Sequence, residues 1–180
     1  MNWMNQIGGL LQQYAGAEPA TTSRQPEEVQ QHFEQAASAA PQGVLSEALA
    51  NAFRSNATPA FPDIVSNLFH NSNNQQRAGL LNSLLSGLGP GALGSILTGG
   101  GMAQLGGLLG GGGRGSIAPE QAQQVSPEAV KELAQRAEQS NPSIVDRVSE
   151  FYAQHPTLVK ALGAAAMWEV LRHMANRTRS

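Results

Sequence analysis

Ala78-Gly79-Leu80-Leu81-Asn82-Ser83-Leu84-Leu85-Ser86-Gly87-Leu88 opens an uncharged run that extends from Arg77 to Arg114. After Gly89-Pro90-Gly91 the run is almost only Leu, Ile, Met, Ala and Gly, and it closes on Gly110–Gly113. Such a stretch reads as a buried helical hairpin, a membrane-seeking segment or a linker. Its first part, Gln75 to Leu88, has the spacing of a capped apolar helix, and only Gly89–Gly113 is unusual. Pro90, the triplet Gly99-Gly100-Gly101 and Gln104 interrupt any span, and glycine contributes little to transfer into lipid. Small residues four apart, at Gly87/Gly91, Ser95/Gly99, Gly106/Gly110 and Gly107/Gly111, suit close helix packing. In so glycine-rich a run they also arise by chance.

Outward from this stretch the chain has helix grammar almost throughout. Alternating strand patterns are nearly absent. Trp3, Met4, Ile7, Leu10, Leu11 and Tyr14 form one apolar stripe at helical spacing, opposed by Asn and Gln. A polar linker from Gly16 to Gln25 follows. Three further helices are expected. Pro26 to Ala40 turns Val29, Phe33, Ala36 and Ala37 inward, and Val44 to Ser55 does so with Leu45, Ala48, Leu49, Ala52 and Phe53. The third opens at Thr58-Pro59 and buries Phe61, Ile64, Val65, Leu68 and Phe69. Asn71 to Asn74 reads as a polar break. Short helices are expected over 92–98 and 102–109. Five of the six residues from Gly110 to Gly115 are glycine, which predicts a hinge.

The last third repeats one helix-start pattern. Ser126-Pro127, Asn141-Pro142 and His155-Pro156 each precede a Val and, three residues later, a Leu or Val. Ser and Asn are good N-caps, His a poorer one. Proline is favoured in the first turn, where its missing N–H is no loss. Convergence on this pattern competes with true duplication, and either way three tail helices are expected. The expected architecture is therefore all-α: an N-terminal amphipathic helix and linker (1–25), a helical region with the Gly/Leu segment (26–109), a glycine hinge (110–117) and a C-terminal three-helix bundle (118–180).

Composition narrows the function. The 180-residue chain is 41% hydrophobic and only 13% charged, with a net charge of −2 and no cysteine. Whole-chain attraction to nucleic acid is disfavoured. Disulfides, thiol nucleophiles and cysteine-ligated zinc are excluded. No basic residue precedes Arg24, and Asn5, Gln6, Gln12 and Gln13 break the apolar core a secretory leader needs. A cytoplasmic protein of bacterial type is expected, with peripheral attachment to the inner membrane as the alternative.

No catalytic constellation is visible: there is no GxSxG, no phosphate loop and no dinucleotide fingerprint. His32, His70, His155 and His173 are scattered, without metal-ligand spacing. Glu169 and His173 lie four apart and read as a surface pair. Carboxylates such as Asp63 and Glu120 sit in first helical turns, where they complement the helix dipole. Neither an enzyme, a cofactor nor a metal is expected.

Two contact surfaces are expected instead. Trp3, Ile7, Leu10, Leu11, Leu84, Leu85, Leu88, Leu93, Leu97, Leu105 and Leu108 are the candidates for self-association or membrane contact, because a short chain buries only part of its leucine surface. Arg172, Arg177 and Arg179 follow the last acid and form a candidate basic patch for DNA or lipid headgroups. The tail from Ser126 carries seven Lys/Arg against six Asp/Glu.

Ile7-Gly8-Gly9-Leu10-Leu11, Gly79-Leu80-Leu81-Asn82-Ser83-Leu84-Leu85 and the segment Leu93–Leu109 together resemble the YidB-like group of bacterial proteins. The resemblance covers mainly the first two thirds of the chain. It implies an all-helical fold and a bacterial origin, with no established enzyme activity, and it assigns no functional residues. The tail Val125–Leu162 is similar to a module recurrent among proteobacterial proteins, to which no activity attaches.

Overall fold

In a computed structural model of the chain, the structure describes residues 3–15, 26–89, 91, 94, 106–107, 116–155, 158 and 161–177. Among these residues the protein is all-helical. The helices are α1 (Trp3–Gln12), α2 (Pro26–Ala39), α3 (Gln42–Phe53), α4 (Phe61–His70), α5 (Asn74–Gly87), α6 (Pro119–Ala122), α7 (Pro127–Ser140), α8 (Ile144–Ala153) and α9 (Ala164–Arg177). They divide into two compact units.

The first unit comprises residues 1–60 and 149–180. Here α9 packs on α3, α2 and α1, and α1 also packs on α2. The apolar stripes read from the sequence supply the core: Ile7, Leu11 and Tyr14 from the first segment, Val29 and Phe33 from α2, Leu45, Leu49 and Phe53 from α3. Tyr14 is fully buried. Its hydroxyl lies 2.7 Å from His32 Nδ1, and its ring meets Trp168 edge-on at 4.7 Å between centroids. A buried phenol needs such a partner, since an unmet donor costs about 1–3 kcal/mol. Thr58 ends α3 rather than opening α4: its hydroxyl donates to the carbonyls of Ala52 (2.7 Å) and Ser55 (2.9 Å).

The second unit comprises residues 61–148. There α7 packs on α4 and α5, and α6 packs on α5. The polar break between α4 and α5 is a capping system. Each of the last four carbonyls of α4 finds a donor, as a buried helix end requires. Asn71 Nδ2 donates to Asn67 O at 2.8 Å, and Ser72 Oγ to Leu68 O at 2.6 Å. Arg77 donates through Nε to Phe69 O at 3.0 Å and through Nη2 to His70 O at 2.9 Å. Asn73 and Gln76 then form a reciprocal capping box that starts α5, with bonds of 2.9 and 3.0 Å.

The tail departs from the expected three-helix bundle, because its helices are shared between the two units. Ser126 caps α7 as read, accepting from Ala129 N at 3.2 Å, yet α7 packs on α4 and α5. At the second start Asn141 Oδ1 accepts from Ser143 N at 3.1 Å, as a cap does, and α8 begins at Ile144. The third start lies partly outside the described residues, and α9 begins at Ala164. The expected helices over 92–98 and 102–109 lie almost entirely outside the described residues, as does most of the expected hinge over 110–117.

A longer repeat emerges from burial. Val29 and Ala36 of α2 match Val130 and Ala137 of α7. In α3, Leu45, Ala48, Leu49 and Phe53 match Val145, Val148, Ser149 and Ala153 of α8. In α4, Ile64, Val65, Leu68 and Phe69 match Val170, Leu171, Met174 and Ala175 of α9. The order α2–α3–α4 thus recurs as α7–α8–α9, and the first helix of each set packs on the third helix of the other: α2 on α9, α7 on α4.

Gly87 marks a tight contact in the second unit. A Cβ there would lie 2.5 Å from Ile144 Cδ1. Gly87→Ala is expected to destabilise the protein by about 1 kcal/mol, less any relief from Ile144 changing rotamer. In a urea-unfolding cycle, Ile144→Val should cost less in the Gly87→Ala background than in the wild type. Equal costs in both backgrounds would show that the two residues do not share this space.

Candidate functional site

Helix α5 organises two features of the second unit. The first is a clasp. Asn82 lies midway along α5. Its Oδ1 accepts from Ile117 N at 2.7 Å, and its Nδ2 donates to Ile117 O at 3.1 Å. The carboxamide thus matches both polar groups of one residue, as a neighbouring strand would. Ile117 and Leu88 are both buried. The uncharged Gly/Leu stretch is thus flanked by two buried residues of the second unit, Leu88 and Ile117. Both flanking residues belong to one unit.

The second feature is a groove of about 460 Å³, walled by Phe69, His70, Arg77, Gln123, Gln124, Val125, Ser126 and Pro127. Arg77 is its fixed element. Besides holding the carbonyls of Phe69 and His70, its guanidinium lies over the Phe69 ring at 5.1 Å from the centroid. Two of its five N–H groups are engaged there; the rest find no partner among the described residues. No carboxylate lines the groove. Elsewhere in the same unit the cation Lys131 pairs with Asp63, and Arg136 with Glu132 at 2.6 Å.

The first unit holds a smaller hollow of about 170 Å³ among Gln42, Gly43, Ser46, Glu150, Ala153 and Gln154. Among the described residues no group of three or more His, Asp or Glu is placed to hold a metal. No helix among them is long and apolar enough to cross a membrane.

The candidate contact residues fall into three groups. Ile7, Leu11, Leu84, Leu85 and Leu88 are buried within the chain and serve its own core. Their helices find neighbours that cover the apolar faces, so these five offer no free surface. Trp3 and Leu10 are partly exposed, beside Met4, which is 46% exposed. Leu93, Leu97, Leu105 and Leu108 lie outside the described residues.

The basic patch is neutralised where it is described. Arg172 Nη2 pairs with Glu169 Oε2 at 3.0 Å, and Arg177 pairs with Glu47 of α3. Arg179 lies outside the described residues. Glu169 is only 4% exposed, so the expected surface pair with His173 gives way to a buried carboxylate held by Arg172. The sequence signal for Glu169 was its place between Trp168 and Val170, on a helix otherwise apolar on that side. Arg77 and Asn82, by contrast, looked like ordinary polar positions of a helix.

No protein-family model, curated protein or solved structure matches the chain.

The Arg172–Glu169 pair predicts a structural role for the arginine. Arg172→Ala leaves a buried carboxylate without its cation and should lower stability by about 2–4 kcal/mol in urea unfolding, with Glu169→Gln in the same chain recovering part of it. An unchanged midpoint for Arg172→Ala would return Arg172 to a free surface patch.

Proposed function

We propose that this protein is a non-enzymatic helical interaction protein that self-associates through its uncharged Leu/Gly stretch. The observation that carries the reading is the Asn82–Ile117 clasp, which with buried Leu88 fixes both ends of that stretch on one folded unit. Anchoring limits the chain entropy that is lost when the stretch engages a partner. Leu93, Leu97, Leu105 and Leu108 supply the apolar contact, and the absence of charge from Ala78 to Gly113 removes any desolvation penalty for ions. A second copy presents the same apolar surface, so the contact is self-complementary. The resemblance to the YidB-like group agrees with a helical bacterial protein of this kind, in the cytoplasm or at the inner-membrane surface.

A membrane surface is the competing partner for the same leucines. DNA is the weaker one, because Arg172 and Arg177 face carboxylates of their own chain.

Native mass spectrometry at micromolar concentration tests the proposal on the full chain. The wild type should give oligomers, and the variant with Leu93, Leu97, Leu105 and Leu108 all changed to Ser should be monomeric with an unchanged melting temperature. A monomeric wild type, or oligomers that survive the four changes, would overturn it. Flotation of the same two proteins with anionic vesicles separates the membrane reading: wild type that floats while remaining monomeric in solution contradicts self-association as the role of the stretch.

A further inference from the structure

The groove on the second unit is independent of the Gly/Leu stretch, and its chemistry points to a different ligand. We propose that it is a recognition site for a carboxylate-bearing peptide segment, with Arg77 as the carboxylate-binding residue. The volume of about 460 Å³ falls within the range of ligand clefts. The wall carries one guanidinium, one imidazole, two carboxamides and a hydroxyl beside the apolar Phe69, Val125 and Pro127, with no acid among them. In a chain of net charge −2 this is a local reversal of sign.

Arg77 is preorganised for the task. Its Nε and Nη2 are held by the carbonyls of Phe69 and His70, and its plane is supported by the Phe69 ring. A guanidinium already held through Nε and Nη2 loses little further entropy on binding. The N–H groups left over form a charge-assisted pair with an incoming carboxylate. The carboxamides of Gln123 and Gln124, both exposed, each offer donor and acceptor groups, which matches a peptide backbone. A peptide segment is favoured over a phosphate because a single arginine balances one charge, and because neutral amides rather than further cations complete the wall. His70 stands at the exposed end of α4, beside the same opening.

The test is a fluorescence-polarisation titration of the full chain with a labelled Asp/Glu-rich hexapeptide and its Asn/Gln isostere, at low salt. The acidic peptide should saturate in the micromolar to low-millimolar range and the isostere should bind at least about tenfold more weakly, the scale of one lost charge contact. Arg77→Gln should weaken the acidic peptide by a similar factor. Because Arg77 also caps α4, Gln124→Glu is the second variant: it places a like charge on an exposed wall position and should weaken binding about tenfold with no change in melting temperature. Equal binding of the two peptides overturns the proposal. So does no saturation of either, an unaffected folded Gln124→Glu protein, or displacement of the acidic peptide by inorganic phosphate at concentrations below the peptide's own.

Discussion

The fold depends on one requirement: the apolar face of each cap-proline helix has to be covered by a helix far away in sequence. Val130, Leu133, Ala134 and Ala137 of α7 are fully buried, and α4 is a helix they pack against. Neither α7 nor α4 is long, and isolated helices of such length are marginal in water. Their stability comes from docking. Ser66 Oγ donates to Pro127 O at 2.9 Å, which ties the middle of α4 to the first residue of α7. The Asp63–Lys131 pair adds to the same contact, though both groups are about half exposed and the pair contributes little. Within the first unit α2 stands in the same relation to α9. The two helix sets are thus completed by exchange, and the buried side chains of these helices are almost all apolar.

Around this scaffold the polar side chains are used for local closure. Arg77, Ser72 and Asn71 finish α4, Asn73 and Gln76 begin α5, and Asn82 fastens the chain at Ile117. All of them belong to or adjoin α5. This helix carries the two features on which the proposals rest, the Asn82–Ile117 clasp and the groove at Arg77. The leucines of α5 itself do not take part in outside contacts, since Leu80, Leu81, Leu84 and Leu85 are all buried.

Helical periodicity made the inward faces readable. Val29, Phe33, Leu45, Leu49, Phe61, Ile64 and Leu68 are buried where their spacing put them. Ser126 was legible as a cap because Ser-Pro before an apolar helix has a local cause. Pairing was not legible. An amphipathic face states that it needs cover and leaves open which helix supplies it, so the tail read as a bundle of its own. Thr58 was misread for a related reason: a short polar side chain satisfies backbone groups on either side of it, and Thr58 serves the helix that precedes it. The clasp was hidden because Asn82 looks like any polar residue on a helix until Ile117 stands opposite. The groove was hidden because Arg77 acts on carbonyls seven and eight residues upstream, beyond helical reach.

The dependence of the tail on distant helices is tested most directly by the fragment 118–180, observed by far-ultraviolet circular dichroism through a thermal scan. Without α4 and α5 to cover α7, and without α2 and α3 to cover α9, the fragment should show weak helicity and no cooperative transition, while the full chain melts cooperatively. A fragment that is strongly helical, monomeric and melts in a sharp transition would contradict the account and restore an autonomous tail bundle.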